Sequence, residues 1–106
     1  MDYELVEGEY KNLQVDYDDD PDLSGATFSA AVRNDIYSTT DLVTKADGVF
    51  NKDDAATGTV LFPLTDTDTG TTLGAGSYVI QVKAAISETS IDIIKYLTLW
   101  IKEGIV

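Results

Sequence analysis

The side chains best suited to chemistry in this sequence are carboxylates. Asp16, Asp18, Asp20 and Asp22 recur at every second position, and Asp66-Thr67-Asp68-Thr69-Gly70 is a shorter run of the same kind. Calcium takes about six to eight oxygen ligands, and such runs supply several. The template of the twelve-residue calcium loop is not met, however. Pro21 stands where the turn-forming Gly belongs, and Thr27 stands where the closing Glu belongs. A solvated turn is the default reading of such a run, so no metal ligand is assigned; calcium at Asp16 to Asp22 is the alternative. Paired carboxylates also serve glycosidases, but no insertion long enough to form a cleft is evident. The chain has no His and no Cys, which removes His-based triads, thiol nucleophiles, disulfides and ordinary zinc sites together. No catalytic residue and no cofactor are assigned, and the chain is expected not to be an enzyme.

Three other residue sets invite a functional reading. Tyr96, Thr98 and Trp100 alternate with Leu97, Leu99 and Ile101. Exposed, the Tyr and Trp would form a sugar-stacking platform or a protein-contact hot spot. The reading adopted is the plainer one: a central strand buried on both faces, with Trp100 in the core. Tyr78 follows Gly76 by two residues and resembles the corner tyrosine of sandwich domains, whose hydroxyl bonds back to nearby backbone. Arg33, the only arginine, pairs with acids either on an exposed sheet face or across a subunit boundary.

These side chains must be positioned by a small domain. The chain has 106 residues, of which 43% are hydrophobic. That makes one domain, 1–106, able to bury roughly 65% of its unfolded surface. Nineteen acidic and seven basic residues give a net charge of -12. Such an excess repels phosphate backbones, so neither nucleic acid nor an anionic membrane surface is an expected partner. The acidic start, Met1-Asp2-Tyr3-Glu4, lacks the apolar stretch of a signal peptide. No membrane insertion is expected either, because Asp92, Lys95, Lys102 and Glu103 interrupt the apolar tail. Adaptation to high salt would also account for the acidity.

The order of elements is legible from period-two alternation. Strands are expected over Tyr3 to Val6, Asn12 to Tyr17, Thr27 to Arg33, Gly58 to Leu64, Ser77 to Ala84 and Ile93 to Lys102. Shorter ones are expected at Asp41 to Thr44 and at Val49-Phe50. Gly25 is expected to supply a positive φ in the bend before Thr27. Asn51 to Thr57 reads as a loop with one helical turn capped by Asn51, and Thr65 to Thr72 as a polar connection. Pro63 lacks a ladder donor and belongs at a strand edge or end. About seven strands with turn signals between them make an all-β, immunoglobulin-like antiparallel β-sandwich.

Three segments occur in order: Asp22-Leu23-Ser24-Gly25-Ala26-Thr27-Phe28, Gly58-Thr59-Val60-Leu61-Phe62-Pro63-Leu64 and Leu73-Gly74-Ala75-Gly76-Ser77-Tyr78-Val79-Ile80. With the closing strand Leu97 to Lys102, they resemble the immunoglobulin-like β-sandwich modules of tailed bacteriophages and prophages, including the N-terminal module of baseplate upper proteins. The resemblance runs from about Glu7 to Glu103. Asp35 to Asp54 fits it loosely, and Ser87-Glu88-Thr89-Ser90 lacks the usual Gly-containing hairpin turn. It implies a virion structural protein made in the bacterial host cytoplasm, acting through protein–protein contacts in a tail or baseplate. The expected partners are other virion proteins with basic surfaces, together with further copies of the chain in a homo-oligomer or ring. A free-standing module that recognises a carbohydrate or protein at a surface is the alternative.

Overall fold

The computed structural model describes residues 2–17, 22–86 and 91–104. Seven strands form in chain order: β1 (Asp2–Val6), β2 (Lys11–Asp16), β3 (Thr27–Arg33), β4 (Val43–Lys45), β5 (Thr59–Leu64), β6 (Gly76–Ile86) and β7 (Ile91–Lys102). They build a five-stranded sheet of order β1-β7-β6-β3-β4 and a two-stranded sheet of β2 and β5. The chain changes sheet after β1, β2, β4 and β5. Strands β3, β6 and β7 thus take the places of C, F and G in an immunoglobulin sandwich, and β2 and β5 those of B and E. The fold is an all-β sandwich, as expected, with one departure from antiparallel pairing. Strand β1 runs parallel to β7, Asp2 lying opposite Thr98 and Val6 opposite Lys102. Parallel neighbours need a long connection between them, and here five other strands intervene.

Alternation decides which side chains enter the core. Leu13 and Val15 of β2 and Val60, Phe62 and Leu64 of β5 are fully buried. They face Phe28 and Val32 of β3, Ile80 and Val82 of β6, and Leu97, Leu99 and Ile101 of β7. An aromatic file crosses the sandwich, with Phe28–Phe50 and Phe50–Phe62 centroids 5.5 and 5.2 Å apart. Such pairs contribute about 0.5–1.5 kcal/mol beyond burial of their area. At one end the Tyr3 hydroxyl accepts the Gln14 amide N–H at 2.9 Å and donates to the Gln14 carbonyl. It therefore occupies the edge of β2 that β5 leaves open. Burial pushes the Tyr3 phenol above its ordinary pKa.

Pro63 sits within β5, in phase with Leu61, whose own N–H and C=O face Asn51 rather than β2. The missing donor is therefore directed away from the ladder, as its edge placement requires.

The corner tyrosine is present. The Tyr78 hydroxyl donates to the Leu73 carbonyl at 2.5 Å and lies 3.2 Å from that of Gly74. Gly76 holds φ at +151°, and a Cβ there would meet the Tyr78 hydroxyl at 3.4 Å.

Four local expectations are corrected. Val49-Phe50 is not a strand: Asp47–Val49 forms a 3-10 turn that delivers Phe50 to the core. Asp47 anchors this turn, its carboxylate accepting the Phe28 amide at 2.8 Å and Lys52 Nζ at 2.7 Å. Gly25 is not among the positive-φ glycines. That bend closes through Ala26 N–H to the Leu23 carbonyl, with Asp22 holding Ser24, and a turn of this kind needs no left-handed residue. The helical turn after Asn51 spans Ala55–Thr57 with Asp54 at its N-cap, and Asn51 instead accepts the Asp53 amide. The polar connection after β5 winds into a wide helical segment, Asp68–Leu73. The turn expected at Asp18 to Pro21 lies outside the described residues, as do Ser87 to Ser90.

That wound segment is a clamp. Asp68 Oδ2 accepts Lys45 Nζ at 2.5 Å and the Thr65 amide at 2.9 Å, tying β4 to the end of β5. Thr69, fully buried, donates to the Glu9 carbonyl at 2.8 Å and so ties in the β1–β2 turn. Burial alone would raise the pKa of Asp68, but Lys45 and the Thr65 amide outweigh it and the net shift is downward.

Tyr78→Phe lowers the unfolding free energy by about 1 kcal/mol, the usual cost of one lost hydrogen bond, read as a lower urea midpoint with an unchanged m-value. Tyr17→Phe costs less, because its hydroxyl reaches the Val82 carbonyl only at 3.4 Å. The depressed Asp68 carboxyl contributes stability above its unfolded pKa of about 4, and that stability is lost as pH falls through the folded value. Urea midpoints between about pH 3 and 7 therefore decline at the acid end, and Asp68→Asn makes the decline shallower.

Candidate recognition face

Five strands in one sheet and two in the other leave the larger sheet with an outer face. Its side chains are the ones that period-two alternation turns away from the core. On β7 these include Ile94, Tyr96 and Trp100, which are 44%, 51% and 52% exposed. Trp100 is therefore not a core residue, and the plainer reading of that strand is overturned. Strand β7 is central in its sheet, with β1 on one side and β6 on the other. Centrality in a sheet buries edges, not faces, and no layer of the described structure covers this face.

Cross-strand register sets the neighbours. Glu4, Trp100 and Ser77 form one row, and Asp2, Thr98, Val79 and Arg33 the next. Tyr96, Gln81, Ala31 and Thr44 follow, and then Ile94, Lys83 and Ser29. Lys102 Nζ pairs with Glu4 and lies 5.5 Å from the Trp100 ring centroid. Thr98 donates to Asp2. A groove of about 480 Å³ opens beside Trp100, its polar wall made by Asp2, Asn34, Ser77 and Thr98.

Arg33 closes the far side. Its Nε donates to Asp41 at 2.6 Å and its Nη1 to the Ser38 carbonyl at 3.3 Å, so it fastens the β3–β4 loop to the sheet. That loop projects Ile36 and Tyr37, which are 55% and 87% exposed. Tyr37 is held by its amide donating to Asp35 at 2.8 Å. The loop lies in the stretch from Asp35 to Asp54, which fits the phage-module pattern loosely. Its exposed pair is a feature that the sequence reading missed. An Ile-Tyr pair inside a polar connection is the signal that could have found it.

The acidic runs are placed differently. Asp16 accepts Thr59 Oγ1 at 2.9 Å and Gln14 Nε2 at 3.0 Å. Asp22 accepts the Ser24 hydroxyl and amide, which hold its carboxyl below the ordinary pKa. Asp18 and Asp20 lie outside the described residues. Asp68 belongs to the clamp, and Asp66 accepts the Thr67 amide. Among the described residues no three acidic side chains converge as metal ligands, and no helix is long and apolar enough to cross a membrane.

The outer face differs from the rest of this surface. Arg33, Lys83 and Lys102 nearly balance Asp2, Glu4, Asp41 and Asp92 across it, whereas the whole chain carries -12. A nearly neutral sheet face with a file of half-exposed aromatics can hold a partner by burial and stacking.

Comparison with known proteins adds little to this geometry. No family model matches the chain, and no curated protein matches it. A solved structure, Tim-1, superposes over 100% of this chain and 95% of its own, at 12% identity and a TM-score of 0.47.

Proposed function

We propose that this chain is a non-enzymatic structural domain that works through protein–protein contacts, and that the outer face of the β1-β7-β6-β3-β4 sheet makes them. The observation that carries this reading is the file Ile94, Tyr96 and Trp100, half exposed on a charge-balanced face of an otherwise acidic chain. Rigid aromatics with few rotatable bonds are the usual anchors of such contacts. The acidic remainder of the surface favours partners with basic rims. A tailed phage or prophage particle is the setting implied by the motifs from Asp22 to Phe28, Gly58 to Leu64 and Leu73 to Ile80.

One observation favours a carbohydrate ligand instead: Asn34 and Asp2 border the groove beside Trp100. Against it, the Lys102 ammonium already stands over the indole and Thr98 engages the Asp2 carboxylate.

The assembly reading is tested on tailed particles purified from a strain that carries the gene. The chain is expected as a stoichiometric component of those particles. Trp100→Glu is expected to fold within about 1 kcal/mol of the parent, because surface changes cost little, and yet to be missing from the particles. Particles that lack the parent chain would sink the phage setting. Trp100→Glu incorporated at parental level would sink the assignment of this face. Displacement of the Trp100 indole N–H resonance by millimolar saccharides would establish the carbohydrate alternative.

A further inference from the structure

We propose that the outer face binds a second copy of this chain, the two sheets meeting about a two-fold axis that runs along the strands between β6 and β7. This inference deepens the assembly reading above by naming a partner. Among the described residues, Val6, Ile94, Tyr96 and Trp100 project from this face, and Ile36 and Tyr37 project from the loop at its border. Elsewhere among the described residues, only two other large apolar side chains, Tyr10 and Val49, are exposed.

The arrangement across the face is asymmetric in a way that a two-fold axis resolves. Bulky apolar groups line β7, whereas β6 and β3 beside it carry Ser77, Val79, Ala31 and Ser29 together with the flexible polar side chains Gln81, Lys83 and Arg33. A two-fold axis in the plane of contact, lying between β6 and β7, exchanges β7 with β6 and β1 with β3. It sets Trp100 of one copy over Ser77 of the other, and Tyr96 over Gln81. Ile94 then meets the aliphatic stem of Lys83. Trp100 thus meets the shallow Ser77 position, Tyr96 and Ile94 meet the flexible stems of Gln81 and Lys83, and each contact is made twice, as an isologous contact requires.

Charge follows the same exchange. Asp2 and Arg33 occupy opposite ends of one row, so the rotation brings each opposite the other copy's counterpart. Arg33 spends Nε and Nη1 within its own chain, and a guanidinium has further N–H donors to offer. A translation of one face over the other, or an axis across the strands, would not unite these two residues.

Area sets the strength. The four strands that the axis superposes, about 4.8 Å apart, and a seven-residue depth outline a face on the order of 450 Å² per copy. A pair buries on the order of 900 Å², close to the lower bound of a specific interface. Two chains of -12 also repel one another. The dimer is therefore weak and tightens as salt screens that repulsion, because burial of apolar surface persists when charges are screened.

Sedimentation equilibrium of the full chain, from about 10 μM to 1 mM and at low and high salt, tests this. A monomer–dimer equilibrium is expected, tighter at high salt, and weakened at least about 10-fold by Tyr96→Glu or Trp100→Glu. Asp2→Arg alone is expected to weaken it, and the double variant Asp2→Arg with Arg33→Asp to recover part of the loss. Circular dichroism of each variant confirms that it is folded. A strict monomer at 1 mM in both salts overturns the proposal, and so does a dimer indifferent to Tyr96→Glu and Trp100→Glu. Either result leaves the assembly reading to its own particle test, so the two can fail separately.

Discussion

Everything in this domain follows from a mismatch of widths. Two strands have to cover the inner face of five. At about 4.8 Å between strands, β2 and β5 span roughly two-fifths of the width that the larger sheet presents. Connections therefore complete the second layer. Tyr17, Leu23, Ala26, Phe50 and Ala55 come from loops and short turns, and all are buried in the same cluster as the strand residues. The 3-10 turns and the Asp68–Leu73 clamp serve this need, which explains why so little of the chain between β3 and β6 is regular strand. Asp47 and Asp68 each hold one of these pieces with a lysine and a backbone amide.

The same mismatch produces the recognition face. The small layer is fully used on the inside, and the described residues contribute nothing to cover the outside of the larger sheet. Strand β7 carries large side chains on both faces, so its outer file stays exposed whatever its inner file does. Lys102 and Glu4 partly shelter Trp100, and Arg33 braces the loop that frames the other border. Charge, aromatic area and loop position thus converge on one surface without any special site chemistry.

Much of this was legible because a strand's period is two and a one-residue error inverts its faces. Thr27 to Arg33 has the same bounds in sequence and in structure, and the strand at Gly58 to Leu64 differs by one residue. Tyr78 was readable for a similar reason: a glycine two residues ahead of a tyrosine at a strand entrance has few other uses. The clamp was not readable. Thr65 to Thr72 lacks the apolar spacing of a helix, and its winding depends on Lys45 and Glu9, which are remote in sequence.

Residue types alone therefore determined the class of fold, the order of the main strands, the division of each strand into two files and the absence of His and Cys chemistry. Those properties are local, carried by alternation and by turn residues. Tertiary structure decided that β1 joins β7 in parallel, that Trp100 and Tyr96 face outward and that Asp68 is a fastener. The physical reason is the same in each case. Tyr-Leu-Thr-Leu-Trp-Ile is apolar on both of its faces, so alternation distinguishes the two files but cannot say which one the second layer covers. Only the placement of β2 and β5 over one side settles that.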